Sequence, residues 1–357
     1  MQQLIFVYPG DLNSPTGGYA YDRRIIAGLK SLGWEIQLIG LGEGYPFPNP
    51  VQAEQAKEQL QRLAPGVPMV IDGLALGALP EVAACVAKHH PLIALIHHPL
   101  AFEYGLSQEQ AALLKQSETE ALRHASKVIA NSPATARDLN RHYGVPMDRI
   151  DVVLPGTDRS MQQRERSQIT HGNRDAVRLL SVGSIIPRKG FHDLLAALAP
   201  LADLPWTLLI AGDTTRNAGA FERLISDITR FGFEGRVQVL GAVSDSELDI
   251  LYTQADAFVL ASLYEGYGMV YAEAMAYGLP IIATSAGAIP DTVPSEAGLL
   301  VNPGDIPALT LALKTVIEDA PYRARLSSGA LRAAAQQPTW DQATQQFAAA
   351  LERLMPA

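Results

Sequence analysis

The 357-residue sequence holds a single cysteine, Cys85, so no internal disulfide can form. It has no apolar stretch near the roughly 18 residues that a membrane-spanning helix needs. Its amino end, MQQLIFVYPG, lacks the basic flank and long apolar stretch of a secretory signal. These absences point to a reducing, cytoplasmic setting without stable membrane insertion. Basic residues are in deficit: 28 Lys and Arg stand against 37 Asp and Glu, a net charge of -9. That balance argues against nucleic acid as the main ligand but leaves room for a local basic pocket. Metal chemistry has little to build on, because four of the eight histidines fall in two adjacent pairs and none has His-x3-His spacing, cysteines do not cluster and Asp-x-Asp does not occur. No phosphate-binding P-loop is present, and GLGEGY from Gly40 lacks the third glycine of a dinucleotide fingerprint, so neither an NTPase nor a dehydrogenase is favoured.

What is present is a globular composition, 48% hydrophobic and 18% charged, on a chain longer than one core usually accommodates. Strand-like and helix-like segments alternate from the start, which predicts an α/β protein with parallel sheets covered by helices. LIFVY, EIQLIG, PMVID, PLIALIH, KVIAN and IDVVL are the strand candidates of the first half, with helices expected over residues 19–32, 53–63, 80–88, 108–124 and 133–143. Cys85 lies in one of these, EVAACVAKH, where a buried inert thiol is expected. Residues 159–175 are polar and without apolar periodicity, and read as a linker. The second half restarts with VRLLSVGS and repeats the alternation, giving Rossmann-like domains over residues 1–165 and 172–338. Trp340, Phe347, Leu351 and Leu354 then recur at helical spacing in a final amphipathic segment, 339–357.

The stretch ASLYEGYGMVYAEAMAYGLPIIAT, residues 261–284, carries the strongest chemical signal. A buried strand runs into a glycine-broken turn and then a helix. Amides at Gly268, Met269 and Val270 would open that helix with partial positive charge, suited to a diphosphate, while Glu265 and Glu273 are placed to accept hydrogen bonds from sugar or ribose hydroxyls. In SVGSIIPRKGFHDLLAAL, Arg188 and Lys189 stand in a loop at another helix entrance, and adjacent cations there suit a diphosphate whose charge grows as a leaving group. Gly17 and Gly18 lie in a polar loop between the first strand and helix, where backbone can approach a phosphate or an acceptor. His97 and His98 end a strand, and only one of them can face a cleft if the strand persists.

With its context, the Glu265 to Glu273 segment resembles the E-x7-E signature of retaining glycosyltransferases of the GT-B fold, family 4 (glycosyl transferases group 1). The Arg188 region resembles that family's G-x5-[RK]-K-G loop. The resemblance implies two Rossmann-like domains facing a central cleft that closes on the donor, with the last helix crossing back to the first domain. It implies donor-sugar contact by Glu265, ribose contact by Glu273 and diphosphate binding by Arg188 and Lys189. It further implies a glycine-rich first loop at Gly17 and Gly18, and places His97 beside the sugar or acceptor. The expected reaction is metal-independent transfer from a UDP-, GDP- or ADP-sugar to a small-molecule or glycan acceptor, with no cofactor. A nucleotide-sugar epimerase or phosphorylase, or a non-catalytic sugar-nucleotide-binding subunit, are the alternatives. Replacing both cations by alanine is expected to reduce turnover by several orders of magnitude with little loss of fold.

Overall fold

The computed structural model describes residues 2–158 and 176–354. The linker expected over 159–175 lies outside the described residues. The chain divides into two compact units, Met1–Gly156 with Pro338–Ala357, and Thr157–Gln337.

The first unit is built on strands β1 (Gln3–Tyr8), β2 (Glu35–Gly40), β3 (Met69–Asp72), β4 (Leu92–Ile96), β5 (Lys127–Ala130) and β6 (Ile150–Val152). They form one sheet in the order β2-β1-β3-β4-β5-β6, with every pairing parallel. β3 and β4 are buried at every residue. Helices cover both faces of such a sheet, so its central strands read as unbroken apolar runs. β1 lies between β2 and β3, where the strand order reverses, and the crevice beyond the strand ends there is where ligands of α/β sheets collect.

The first helix is Gly17–Ser31, capped by Thr16, whose side chain accepts from the Tyr19 amide. Gly17 and Gly18 are therefore its first two residues, where a flexible loop was expected. The second helix starts at Pro50 instead of 53, because Asn49 and Gln52 form a reciprocal capping box and Pro50 suits the first helical position. A short helix, Gly73–Leu76, was not anticipated from apolar periodicity; the Asp72 carboxylate caps it. Cys85 is half-buried, not buried, and its sulfur accepts a hydrogen bond from Gln61. The final helix, Trp340–Glu352, packs on Gly17–Ser31. The approach is close at Gly28, where an added Cβ would lie 2.2 Å from Thr344 Oγ1.

The second unit repeats the plan with β7 (Val177–Val182), β8 (Trp206–Ala211), β9 (Val237–Gly241), β10 (Ala257–Leu260), β11 (Ile281–Thr284) and β12 (Gly298–Val301), again parallel. Their order, β12-β11-β10-β7-β8-β9, sets β10 beside β7 although about 75 residues separate them in sequence. The loops leaving those two strands are consequently neighbours. Among the described residues no helix is long and apolar enough to cross a membrane.

Candidate functional site

The loop after β7 ends in a 3-10 turn, Pro187–Lys189, followed by Gly190 and the helix Phe191–Leu198. Gly190 has φ +67°, and a Cβ on it would come within 1.9 Å of the Ala261 carbonyl oxygen. Only glycine allows this turn to press against the loop after β10. The contact sets Arg188 and Lys189 beside Glu265, a residue 5% exposed. Lys189 donates to Glu265 Oε1 at 2.6 Å and Arg188 to Oε2 at 3.1 Å, while Ser262 Oγ adds a third bond, to Oε1 at 2.6 Å. Arg188 also donates to the Tyr264 carbonyl at 2.6 Å. Burial opposes ionisation of Glu265, but the Lys189 and Arg188 charges outweigh it and hold the carboxyl down at about 2. Burial in turn lowers the Lys189 ammonium, against the pull of Glu265.

The helix Met269–Ala276 begins at Gly268, which is in the left-handed conformation and offers no side-chain cap. Gly190 likewise leaves the helix after β7 without a side-chain cap. By contrast, Asn217, Ser244, Asp305 and Asp319 cap the other long helices of this unit through their side chains. The two helix entrances at the β7/β10 position thus leave their first amides without a side-chain cap, the arrangement that receives an anion. Glu273 lies on the second turn of its helix, half-buried, and accepts from the Tyr252 hydroxyl at 3.0 Å. Tyr252 stacks on Tyr277 at 5.1 Å between ring centroids, and Tyr277 donates to Asp249.

A second cluster forms within the first unit, at the carboxyl ends of its strands. β4 ends at Ile96, so the alternation expected to separate His97 from His98 stops before either. His98 pairs with Glu103 at 2.9 Å. His97 Nε2 meets Asp22 Oδ1 at 3.0 Å and Asp72 Oδ2 at 3.5 Å, and its Nδ1 lies 3.5 Å from the Asn131 amide nitrogen. Gly18 touches the same ring: a Cβ there would lie 3.2 Å from His97 Cδ2. Burial favours the neutral ring, but the Asp22 and Asp72 carboxylates overcome it and raise His97 to about 10. Burial likewise raises Asp22 to about 6 against the pull of His97. The carboxylate and imidazole atoms of Asp22, Asp72 and His97 lie within 4.8 Å of one another.

Neither aspartate was singled out from the sequence. Asp22 carried a readable signal, since it shares the buried stripe of its helix with Ile25, Ile26 and Leu29 and is itself fully buried. Asp72 closes the apolar run MVID, a weaker cue.

Two parallel α/β units of this kind, with paired cations at a helix entrance, define a protein of the GT-B fold. The chain belongs to the glycosyl transferases group 1 family, whose model matches residues 162–332, and the Glycosyltransferase Family 4 model matches residues 70–160. It is 27% identical to the MMP alpha-(1->4)-mannosyltransferase of Mycolicibacterium hassiacum, over 74% of this chain and 65% of that protein. It is 30% identical to the D-inositol 3-phosphate glycosyltransferase of Rhodococcus opacus, over 67% of this chain and 58% of that one. The chain thus spans less than two thirds of the length of these relatives. Among solved structures, the sucrose-phosphate synthase of Thermosynechococcus elongatus superposes with a TM-score of 0.82 at 21% identity, covering 99% of both chains. Anabaena HepE in complex with UDP-glucose superposes at 0.76 with 24% identity, over 99% of this chain and 100% of that one.

Proposed function

We propose that the protein is a retaining glycosyltransferase that moves a sugar from a nucleoside-diphosphate sugar to an acceptor hydroxyl without a metal ion. The observation that carries this reading is the cluster of Arg188, Lys189 and Glu265 beside the helix entrance at Gly268. As the bond from the anomeric carbon to the diphosphate oxygen breaks, its electron pair stays on the phosphate. Arg188, Lys189 and the amides of Gly268, Met269 and Val270 stabilise that growing charge, the work a divalent ion does in other designs. Glu265, ionised and fixed by its two cations, presents a carboxylate to the transferred sugar, and Glu273 accepts from the ribose. In the first unit, Gly17, Gly18 and His97 are the candidates for substrate contact, with Gly18 against the His97 ring.

The acceptor oxygen bonds to the anomeric carbon, and its proton passes to the departing diphosphate. Glu265 is poorly suited to be a covalent nucleophile, because both of its oxygens already accept hydrogen bonds. Two kinds of relative favour different donors. The similarity to mannosyltransferases suggests a mannose donor, and the likeness to a UDP-glucose complex suggests a uridine one.

A thermal-unfolding screen of UDP-, GDP- and ADP-sugars tests donor binding, since a ligand bound by the folded state raises its apparent stability. Product mass spectrometry after exhaustive chelation then tests transfer. The expected result is one preferred donor and transfer that survives chelation. Activity lost on chelation and restored by one divalent ion would overturn the metal-free mechanism. Isomerised donor or free sugar phosphate as the sole product would overturn transfer itself.

A further inference from the structure

His97 is the functional candidate of the first unit, yet its ring is gripped from three directions by elements that are distant in sequence. Asp22 reaches it from the helix after β1, Asp72 from the end of β3 and Asn131 from the end of β5. Both carboxylates converge on one atom, Nε2. Asp22 is fully buried and Asp72 is 3% exposed, so neither charge is met by bulk water. The adjacent arginines have partners of their own: Arg23 donates to the Leu12 and Ser14 carbonyls, and Arg24 lies over the Trp340 ring. Two further neighbours are uncharged. Tyr21 meets it edge-on at 5.4 Å and donates its hydroxyl to the Val153 carbonyl, and Thr135 bonds the His97 carbonyl. His98, the neighbouring titratable group, is occupied with Glu103.

With both buried carboxylates ionised, the group is balanced best when the ring carries a proton on Nε2 and a positive charge, since an unpaired buried charge is expensive. The Asn131 amide gives a further clue. Its Oδ1 is buried without a hydrogen-bond partner, while its nitrogen faces Nδ1. Exchanging the amide oxygen and nitrogen by a half-turn of the side chain sets Oδ1 to accept from an Nδ1–H. Both ring nitrogens are then donors.

We propose that Asp22 and Asp72 are positioning residues that fix His97 as a cation, so that it serves bound substrate by charge and never as the base for the acceptor hydroxyl. The consequence for catalysis rests on the transferase reading above, whereas the state of the ring does not. With His97 unable to accept a proton, the acceptor proton has the departing diphosphate as its destination. Because Asp72 also caps the helix Gly73–Leu76 through its other oxygen, the clamp is anchored to backbone and holds the ring where it is.

The test is a histidine-selective nitrogen and proton NMR titration of the full-length protein, with His97 assigned by its absence in His97→Gln. In the wild type, His97 should remain doubly protonated from pH 6 to about pH 9. In Asp22→Asn and in Asp72→Asn, its midpoint should drop by more than one pH unit. The pH profile of nucleoside diphosphate release, from whichever of UDP-glucose and GDP-mannose the protein turns over, should then acquire a new loss on the alkaline side. That profile separates a charge role from mere structural support. Titration of wild-type His97 near its ordinary value would overturn the proposal, as would a midpoint unmoved in both variants. Displacement of the Nε2 proton by one equivalent of zinc would also overturn it, because proton and metal cannot share that atom. Should Asp22→Asn fail to fold, the wild-type titration and Asp72→Asn decide the matter. Failure to turn over either sugar nucleotide would count against the transferase reading and leave the titration as the measure of this one.

Discussion

At the residue scale, the ion pairs of Glu265 change what mutation of the cations should do. The double replacement Arg188→Ala/Lys189→Ala was expected to spare the fold, but those side chains are what keep Glu265 ionised while buried. Removing both strands a carboxylate whose remaining polar contact is Ser262, and breaking a buried pair in this way costs roughly 3–5 kcal/mol. We therefore expect the double variant to unfold at clearly lower denaturant and to turn over at least about a hundredfold more slowly. Adding Glu265→Gln should restore much of the stability and none of the turnover. Equal unfolding midpoints for the double variant and the wild type would show that the cations do not support Glu265. The same pairing sets an acid limit. Glu265 is held below its ordinary value, so its contribution to stability is complete above about 4.5 and is lost as pH falls through about 2. Lys189→Met should move that loss to higher pH, which acid unfolding followed by circular dichroism would record.

At the scale of elements, the seat of the last helix depends on a missing side chain. Gly28 in the helix Gly17–Ser31 leaves space that Thr344 of the helix Trp340–Glu352 fills, and a methyl group there would overlap Oγ1, Cγ2 and Cβ of Thr344. Gly28→Ala gains helix propensity, worth up to about 1 kcal/mol, but forces the two helices apart. We expect a net loss of about 1–3 kcal/mol in chemical denaturation. Thr344→Ala in the same chain should recover part of it, a coupling that a double-mutant cycle measures. Additive losses would mean that the helices do not meet at this point. The helix carrying Gly28 also carries Asp22 and starts at Gly17, so its seating bears on the cluster around His97.

At the scale of the whole molecule, the two units should respond to pH in opposite senses. In the first unit, burial raises the Glu118 carboxyl to about 8, opposed by the hydrogen bond it accepts from the Leu100 amide and by Tyr143. A carboxyl raised in the folded state loses stability as pH rises from its unfolded value near 4.5 to about 8, and the full penalty remains above that. His97 adds to the trend, because the stability gained from its raised value is complete below about 6.5 and disappears as pH passes about 10. The second unit is instead challenged by acid through Glu265. Glu118→Gln should therefore raise the melting temperature more at pH 9 than at pH 5, read by calorimetry across a pH series. A uniform shift would indicate that Glu118 is ionised in the folded protein throughout that range.

The alternation of apolar strands with helical segments was legible because a parallel sheet buries both faces of its strands, and local composition records that directly. The E-x7-E segment was legible too, since its turn, helix entrance and carboxylates all lie within one short stretch. Helix starts were less so where a cap decided them, as at Gly17 and Pro50. What the tertiary structure alone decided are the partners. Glu265 meets Lys189 across 76 residues because β10 pairs with β7, and His97 meets Asp22 across 75 because the loops after β1, β3 and β4 share one edge of a sheet. Periodicity encodes which face of an element is buried and says nothing of which element lies beside it. Strand order is a long-range choice, made by the packing of the whole sheet, and here it determines which charges face one another.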